Sequence, residues 1–396
     1  MAEVLSVVQI TKNDRGDCYP DVWMENAFVE NLVSFEQFPV DRPDETPLPW
    51  PSELKGVLFA FNQAATDVPL PAQEGTRLCR TIAKQTAKLG RFWDLDVSRG
   101  YFEADVESNQ LIANACKASN AFTLEATITE ARDKYQPLSV RLISYRQADG
   151  AESLGLYRVE NNLIFRLRLG STLEQSLVYP VKLASFRIEN DRPYHLVVTF
   201  ENQSLKTYID GALVAQTAVE ATGLGGWTPG VLQLGDPQPM GGEAWSGSLE
   251  GVAFADRAFA AEEVGKNFDA AKQKMKQRRP TDRVKLRAKL QEITPLPADA
   301  EQGPYTRILT SRTYAVEQVQ AGVYEEKTIV VLHDAALNRK VLQGLPDKIG
   351  EIYTLLVEPS AQHPELKATQ VINNTTAVNL APFLEVTQPK FVPDRK

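Results

Sequence analysis

The sequence predicts a mainly β protein, in which an antiparallel jelly-roll β-sandwich is followed by a smaller β-barrel-like domain. Many short apolar segments alternate with period two and follow one another closely, a pattern typical of sandwiches and jelly rolls. Tight-turn signals such as Asp210-Gly211 separate several of these segments. The pattern breaks at Arg278-Arg279-Pro280 and alternation then restarts, which indicates a second β domain.

Composition and charge limit the function classes. The 396 residues are 43% hydrophobic and 24% charged, with 23 Gly and 24 Pro, which excludes a collagen, a coiled coil and a wholly disordered chain. Because the net charge is −8, we expect no nucleic-acid partner. No apolar run approaches the roughly 18 residues of a membrane span, so none is expected. The first residues lack the long apolar core of a signal peptide. We therefore expect an extracellular or periplasmic protein if a leader was removed, and otherwise a cytoplasmic one.

The N-terminal residues 1–53 are predicted to form an acidic, Pro-rich extended arm. Residues 1–55 hold 4 basic and 11 acidic side chains, and the run 41–51 is too rich in proline for a helix or a central strand. This stretch nevertheless carries large aromatic side chains, which are unusual in a solvated tail: Trp23, Phe28, Phe35, Phe38 and Trp50. We expect them to hold the arm against its own domain or against a partner.

Residues 54–276 are predicted to form the sandwich, ending in a helix. Segments with strand character are 54–61, 122–128, 138–145, 154–159, 163–169, 194–200, 205–214, 231–235 and 245–254. In the segment 163–169 the leucines and Phe165 point one way, while Ile164, Arg166 and Arg168 point the other. Residues 111–116 resemble one helical turn. A helix of about fifteen residues is expected from Ala260.

Residues 277–387 are predicted to form a small β domain, and residues 388–396 a tail. Val284, Leu286, Ala288 and Leu290 alternate with basic residues, which is typical of a strand with one buried face. Further strands are expected at 308–319, 327–333 and 351–358.

Residues 192–264 carry a family resemblance. The run RPYHLVVTFENQSLKTYIDGALV is followed by LQLGD and then by WSGSLEGVAFADRAFAAEEV. This order of a Y-x-D-G turn, a W-x-G-x-L-E-x-V strand and an R-A-F-x-x-E-E helix start resembles a laminin-G-like domain. That domain belongs to the concanavalin A-like lectin/glucanase superfamily, and the resemblance covers residues 55–275. The smaller domain is loosely similar to small OB-like barrels.

The resemblance implies a ligand site in the loops at the rim of the sandwich. Trp227 and Trp245 lie in or beside a Gly-rich loop, with Asp236 and Glu243 between them. Aromatic faces hold the C–H groups of sugars, so these four residues are the candidate ligand-binding set. The two carboxylates could also supply oxygen ligands to Ca²⁺, and no other cofactor is expected at this rim. In the alternative interpretation, both tryptophans fill the ends of the sandwich core.

A second candidate site is the E-x-D-x-E motif formed by Glu103, Asp105 and Glu107. Glycosidases of the same superfamily carry this pattern on one face of a strand, as nucleophile, helper and acid. The motif precedes the expected position of such a catalytic strand. An acidic surface strand is therefore the alternative.

Cysteines and histidines give weaker signals. Cys79 and Cys116 could form a disulfide in an oxidising compartment, or remain two reduced, buried thiols. His195 is expected to be a half-buried packing residue. His333-Asp334 and His363-Pro364-Glu365 could meet in a metal site with two histidines and a carboxylate, or lie apart on the surface.

Three functions follow from these patterns. The first is a non-catalytic binding protein of the cell envelope or extracellular space, whose partner is a polysaccharide or an envelope protein. The second is an assembly subunit whose N-terminal arm joins copies into a homo-oligomer. The third is a glycoside hydrolase that uses Glu103 and Glu107. Because GxSxG, GxxxxGK[ST] and HExxH motifs are absent from the sequence, the first is favoured.

Overall fold

The structure is a computed structural model of the chain. It describes residues 48–61, 81–98, 100–131, 139–160, 162–172, 174, 177–185, 192–219, 223–236, 245–276, 278, 281–298, 300, 305–377, 379–386 and 390–391. Of the predicted arm, only residues 48–53 are described. Cys79 and Glu243 also lie outside the described residues. Two compact units divide the described chain, one within Thr46–Arg278 and the other within Arg279–Lys396.

The described residues of the first unit form fifteen strands and two helices. In chain order they are β1 (Val57–Phe61), β2 (Thr81–Gln85), β3 (Lys88–Leu89), β4 (Leu95–Asp96), β5 (Gly100–Ala104), α1 (Val106–Ser119), β6 (Phe122–Glu130), β7 (Ser139–Gln147), β8 (Glu152–Val159), β9 (Asn162–Leu169), β10 (Leu177–Ser185), β11 (Pro193–Glu201), β12 (Ser204–Ile209), β13 (Ala212–Ala218), β14 (Gly230–Gly235), β15 (Gly247–Ala255) and α2 (Ala261–Lys276).

These strands form two sheets whose described pairings are antiparallel. The first sheet has the order β13-β12-β11-β6-β15-β4-β3, and β1 also pairs with β15. The second sheet has the order β10-β9-β8-β7-β14-β5-β2. This arrangement confirms the predicted mainly β, antiparallel sandwich. Because apolar residues alternate along the strands, each sheet has one apolar face, and that face is buried by packing against the other sheet.

An aromatic cluster fills the space between the sheets. The ring of Phe122 lies 5.9 Å from Phe165, 5.7 Å from Phe200 and 6.0 Å from Phe254, between ring centroids. Each of these rings is completely buried. Because truncating one buried Phe costs about 3–5 kcal/mol, this cluster is a main source of stability.

Helix α1 is longer than the single turn expected from the sequence. Asp105 begins it: its Oδ1 accepts the backbone N–H of Ser108 at 2.9 Å, and its Oδ2 accepts the Ser108 hydroxyl at 2.8 Å. The helix ends at Asn120, whose φ of 54° is left-handed. It buries Ile112 and Cys116 in the sandwich core. With this cap, the helix begins five residues before the apolar signal at 111–116.

Helix α2 packs on the opposite side of the first sheet from the core. Its Val264 is buried together with Val197 and Tyr208. Leu196 and Val198, on either side of Val197 in β11, face the core between the sheets instead. Glu262 and Glu263 lie in its first turn and Lys274 and Lys276 in its last, an order that suits the helix dipole. Among the described residues, no helix is long and apolar enough to cross a membrane.

The second unit contains a closed five-stranded barrel. Its strands are β16 (Val284–Ile293), β17 (Arg307–Ala321), β18 (Thr328–Leu337), β19 (Lys340–Val341), β20 (Ile352–Pro359), β21 (Gln370–Ile372), β22 (Phe383–Glu385) and β23 (Lys390–Phe391). The barrel runs β16-β17-β18-β22-β20 and closes between β20 and β16, with one parallel pair, β18 and β22. This confirms the predicted barrel-like domain.

The barrel has its own core. Leu286, Tyr314, Ile329, Val331 and Leu355 meet inside it and are fully buried. The alternation of apolar and basic residues along β16 therefore places one set inside and the other outside. Two short 3-10 turns, Ser360–Gln362 and Pro364–Ala368, follow β20.

Candidate binding face

A row of mostly polar residues crosses the outer face of the second sheet. Directly opposite one another on adjacent strands are Ile82, Glu103, Gln233, Ser144, Gly155 and Arg166. Their strand neighbours, such as Phe102 and Phe165, face the core. Since residues two apart share a face, the outer face also carries Arg141, Tyr157 and Lys182. We call this set, with Glu152 and Asp236, the polar face.

The centre of the polar face is a network of hydrogen bonds and ion pairs. The Tyr157 hydroxyl donates to Glu152 Oε2 at 2.6 Å. Arg141 Nη1 lies 3.6 Å from the same oxygen, and Arg141 Nη2 lies 2.5 Å from Asp236 Oδ1. Burial alone would lower the pKa of Arg141, but the hydrogen bond and charge of Asp236 raise it. Burial and the neighbouring Glu152 raise the pKa of Tyr157 to about 12, so the phenol remains a hydrogen-bond donor at neutral pH.

Gly155 lets this network form. A Cβ atom at this position would lie 2.4 Å from Glu152 Oε1 and 2.6 Å from the Tyr157 ring. Neither distance is possible for real atoms, so any larger residue would push the two side chains apart. The missing side chain at Gly155 thus leaves room for the Glu152 carboxylate and the Tyr157 phenol to meet on β8.

Arg166 presents an exposed cation above this network. Its guanidinium carbon lies 4.7 Å from the centroid of the Tyr157 ring, while the side chain remains exposed to solvent. Lys182, also exposed, extends from the neighbouring strand β10. A guanidinium group is planar, and contact with an aromatic ring limits the directions in which it can point. Its N–H donors can therefore bind a carboxylate with two hydrogen bonds.

The predicted tryptophan site is corrected by the structure. Trp227 and Trp245 are each 1% exposed. The Trp227 indole donates to the carbonyl of Arg168 at 3.0 Å and packs 5.7 Å from Phe122, between ring centroids. No ring face is open for a sugar, which agrees with the alternative that both residues fill the core. Asp236 belongs to the polar face, and Glu243 lies outside the described residues.

The E-x-D-x-E interpretation is also corrected. Glu103 lies on β5 and accepts from Lys84 and Gln233, at 3.4 Å and 3.5 Å. The strand ends at Ala104, Asp105 caps α1, and Glu107 lies exposed in the first helical turn. The three residues therefore do not share one face of a strand, and the geometry of a retaining glycosidase does not form.

The structure keeps the histidines apart. His333 lies 3.0 Å from the Tyr314 hydroxyl and 2.6 Å from Glu385, whereas His363 contacts Glu358 and Glu365. Asp334 pairs with Arg307 at 2.6 Å. The predicted metal site is therefore not assembled, and no three His, Cys, Asp or Glu residues of the described chain are placed to hold a metal.

Two other predictions involve buried residues of the first unit. His195 is completely buried rather than half-buried, and its Nε2 lies 2.8 Å from Glu125 Oε1. Cys116 is completely buried, and burial raises the pKa of its thiol. Since Cys79 lies outside the described residues, the disulfide stays a prediction, as does calcium binding with Glu243.

The polar face was not predicted as a site because its members are scattered along the chain. Arg141, Glu152, Tyr157 and Arg166 come from three strands. One signal was present: Arg166 and Arg168 alternate with leucines on β9, which placed them on the solvent side of a sheet.

Comparison with known proteins identifies the sandwich. The family model of the concanavalin A-like lectin/glucanases superfamily, for laminin-G-type domains, matches residues 105–265. Over these residues the chain matches a laminin-G-like domain. The matched residues include the polar face apart from Ile82 and Glu103, and the match confirms the resemblance found in the sequence. A comparison with curated proteins gives no match.

Several solved structures are similar to the chain. The binding domain of botulinum neurotoxin DC, in complex with rat synaptotagmin II, is 9% identical, with a TM-score of 0.42, over 77% of this chain and 72% of that one. The receptor binding domain of botulinum neurotoxin C/D mosaic serotype is 10% identical, with a TM-score of 0.41, over 78% and 72%. A Trypanosoma rangeli sialidase mutant displaying trans-sialidase activity is 19% identical, with a TM-score of 0.32, over 50% and 30%.

Proposed function

We propose that the laminin-G-like domain is a non-catalytic binding module whose polar face holds an acidic carbohydrate. One observation carries this proposal: the exposed Arg166 guanidinium is fixed over Tyr157 at 4.7 Å. A cation that is already oriented loses little conformational freedom when it binds an anion. Carboxylate groups of a polysaccharide fit this planar donor better than neutral hydroxyls do.

The surroundings of Arg166 support an extended, anionic ligand. Arg141 is occupied by Asp236 and Glu152, so its charge is compensated within the face. Arg166 and Lys182 are exposed on adjacent strands and form a local cationic strip on a protein of net charge −8. The hydroxyl of Tyr157 and the amide of Gln233 lie on the same face and suit sugar hydroxyls. Nucleic acid is disfavoured by the acidic chain as a whole.

The proposal places this activity outside the cell or at the cell envelope, where acidic polysaccharides are available. The assembly function depends on residues 1–53, of which only 48–53 are described, so it and a homo-oligomer stay predictions.

Isothermal titration calorimetry with tetragalacturonate tests the proposed function. We expect wild-type protein to bind and Arg166→Ala to bind at least about tenfold more weakly, since a charge-assisted hydrogen bond contributes about 1.5–3 kcal/mol. Arg166→Lys should be only partly active because a lysine lacks the planar donor pair. Cellotetraose, which has no carboxylates, should bind the polar face poorly.

The matched control is Arg192→Ala. Arg192 makes the same stacking contact, 4.4 Å over the ring of Tyr194, but on the first sheet. Removing it should leave tetragalacturonate binding unchanged. Equal losses in both variants, or full binding by Arg166→Ala, would refute the proposed site.

A further inference from the structure

Strand β13 lies at one end of the first sheet, and within the described residues no strand pairs with its outer edge. Every second backbone N–H and C=O of such an edge strand points away from the sheet and can pair with another strand. One hydrogen bond locates these groups: the Val219 N–H donates inward, to the Gln203 carbonyl, at 2.8 Å. Since inward and outward positions alternate, the backbone of Thr217 also points inward, whereas those of Gln216 and Ala218 point outward.

The side chains of β13 are exposed as well. Leu213 and Val214 are 51% and 48% exposed, although both are apolar. The pairing with β12 shifts its register at this point, which marks a β-bulge, and a bulge redirects the side chains of its strand. Beyond the bulge, residues 215–218 pair with β12 in regular register. The outer edge of β13 is therefore regular, accessible and apolar at one end.

The other three ends of the two described sandwich sheets carry features that keep edge strands from pairing. β3 is two residues long and contains Lys88, β2 contains Lys84, and β10 contains Pro180 and Lys182. β1 also has a single partner, but its last three residues are buried. The seven residues of β13, Ala212–Ala218, include neither a charged residue nor a proline. An unprotected edge of this length indicates that another strand pairs with it.

The chemistry of β13 selects a second copy of the same strand. Two antiparallel copies related by a twofold axis offer each other the same uncharged surface, whereas a charged partner strand would meet no counter-charge on β13. The neighbouring charges do not oppose this approach, although the chain carries a net charge of −8. Asp210 is already paired with Arg192 at 2.8 Å. Lys206 lies one strand further in, so the backbones of its two copies would be ~14 Å or more apart.

We propose that two copies of the chain form a dimer by antiparallel pairing of β13 with β13. The first sheet then continues from one copy into the other. Antiparallel neighbours in a sheet are related by a twofold axis perpendicular to it, so both second sheets lie on the same side of the continuous sheet. Both polar faces therefore point the same way and can bind one long polysaccharide together. This last consequence rests on the proposed function, whereas the dimer itself does not.

Sedimentation velocity of the full chain from about 1 to about 200 µM tests the dimer. We expect the mass to double with concentration, with a Kd on the order of 10 µM, because one strand pair is a small interface. Since no ion pair holds the two copies together, about 0.5 M NaCl should not weaken the dimer. Hydrogen exchange at the two ends of the concentration range should show the Gln216 and Ala218 amides protected only at the high end.

Two substitutions at the outer edge, each with a matched control, test the surface. Val214→Lys brings two like charges together and should weaken dimerisation by at least about tenfold. Its control, Val341→Lys, adds the same charge to an exposed valine of β19, an edge strand of the barrel unit, and should leave dimerisation unchanged.

Gln216→Pro removes an outward N–H from each copy and leaves the ladder to β12 intact, so it should weaken dimerisation by at least about fivefold. Its control is Gln216→Ala, which loses the same side-chain hydrogen bond to Ser204 but keeps the N–H. This control should dimerise as the wild type does.

Three results would overturn the proposal. They are a chain that stays monomeric throughout the range, a dimer that survives both Val214→Lys and Gln216→Pro, and a dimer whose Gln216 and Ala218 amides exchange as fast as in the monomer. The last result would assign the interface to another part of the chain, such as the N-terminal arm. Tetragalacturonate is short and occupies one polar face, so Val214→Lys should bind it as the wild type does. The dimer and the proposed function can thus fail separately.

Discussion

Glu125 joins four parts of the laminin-G-like unit through one buried carboxyl group. Its Oε1 accepts the Trp50 indole N–H at 2.7 Å and lies 2.8 Å from His195 Nε2. Its Oε2 accepts a hydrogen bond from the side-chain Nδ2 of Asn267 at 2.7 Å. The side-chain Oδ1 of Asn267 in turn accepts the backbone N–H of Ser52 at 2.8 Å. Residues 50–52 are thereby fastened to β6, β11 and α2. The function of this group is to hold elements together, since it is completely buried.

Replacing this carboxyl group should strongly destabilise the sandwich. We expect Glu125→Ala to lower the free energy of unfolding by about 3–5 kcal/mol, because three buried partners lose their hydrogen bonds at once. Urea unfolding followed by tryptophan fluorescence measures the loss. The control is Glu103→Ala, which removes a carboxylate from the surface of the second sheet and should cost about 1 kcal/mol or less. Similar losses in the two variants would contradict the role of Glu125.

At the scale of elements, the cap of α1 decides how the E-x-D-x-E motif folds. A strand across residues 103–107 would have aligned three carboxylates on one face. Instead, the two hydrogen bonds between Asp105 and Ser108 begin a helix directly after Ala104. The helix is then fixed to the second sheet, because the Asn109 amide oxygen accepts the backbone N–H of Leu232 at 2.8 Å. Local capping therefore prevails over the strand alternation that precedes it.

The cap makes a prediction about stability. Asp105→Ala should lower the free energy of unfolding by about 0.5–2 kcal/mol, the usual cost of losing an N-cap. Glu107→Gln, one turn into the same helix and exposed, should change it by less than about 0.5 kcal/mol. Urea titrations of both variants test this. If Glu107→Gln were the more damaging change, a role for Glu107 beyond the helix surface would have to be sought.

At the scale of the whole molecule, the two units have separate hydrophobic cores. The barrel unit carries a buried cluster of one histidine and two carboxylates. His363 lies between Glu358, 3.0 Å from its Nε2, and Glu365, 2.8 Å from its Nδ1. Arg283 Nε donates to Glu358 Oε1 at 2.7 Å, directly before β16 begins.

This cluster shifts both titrating groups. Burial alone would lower the pKa of His363, but the hydrogen bonds to Glu358 and Glu365 outweigh it and raise the pKa. Burial alone would raise the pKa of Glu358, but His363 and Arg283 lower it to about 2 from 4.5. The two carboxylates thus favour the protonated form of His363.

The barrel should therefore lose stability at both ends of the pH scale. The contribution of His363 is fully present below its unfolded value of 6.5 and is lost as the pH rises through its higher folded pKa. The contribution of Glu358 is present above 4.5 and is lost as the pH falls toward about 2. With a shift of that size, the acid loss is about 3 kcal/mol. Calorimetry of the full chain between acid and alkaline pH measures both limbs.

His363→Gln is the matched variant for the alkaline limb. It removes the titrating group and should flatten the fall in barrel stability above neutral pH, at the cost of lower stability below it. An unchanged alkaline slope in this variant would assign the pH dependence to another group.

The sequence by itself determined the architecture. Alternation along segments such as β9 and β16 requires one buried face, and the Y-x-D-G turn with the strand and helix start that follow it identified the laminin-G-like unit. These signals are local, because each depends on residues within a few positions of one another. The break at Arg278-Arg279-Pro280 was local in the same way.

Only the tertiary structure decided the sites. Trp227 and Trp245 resemble a sugar platform in the sequence, but their surroundings come from both sheets and bury them. The contact of Arg166 with Tyr157 depends on the register between β8 and β9. The partners of Glu125 lie about 70 to 140 positions away from it along the chain. Contacts of this kind are set by strand register and packing across the fold, and no local pattern of residues encodes them.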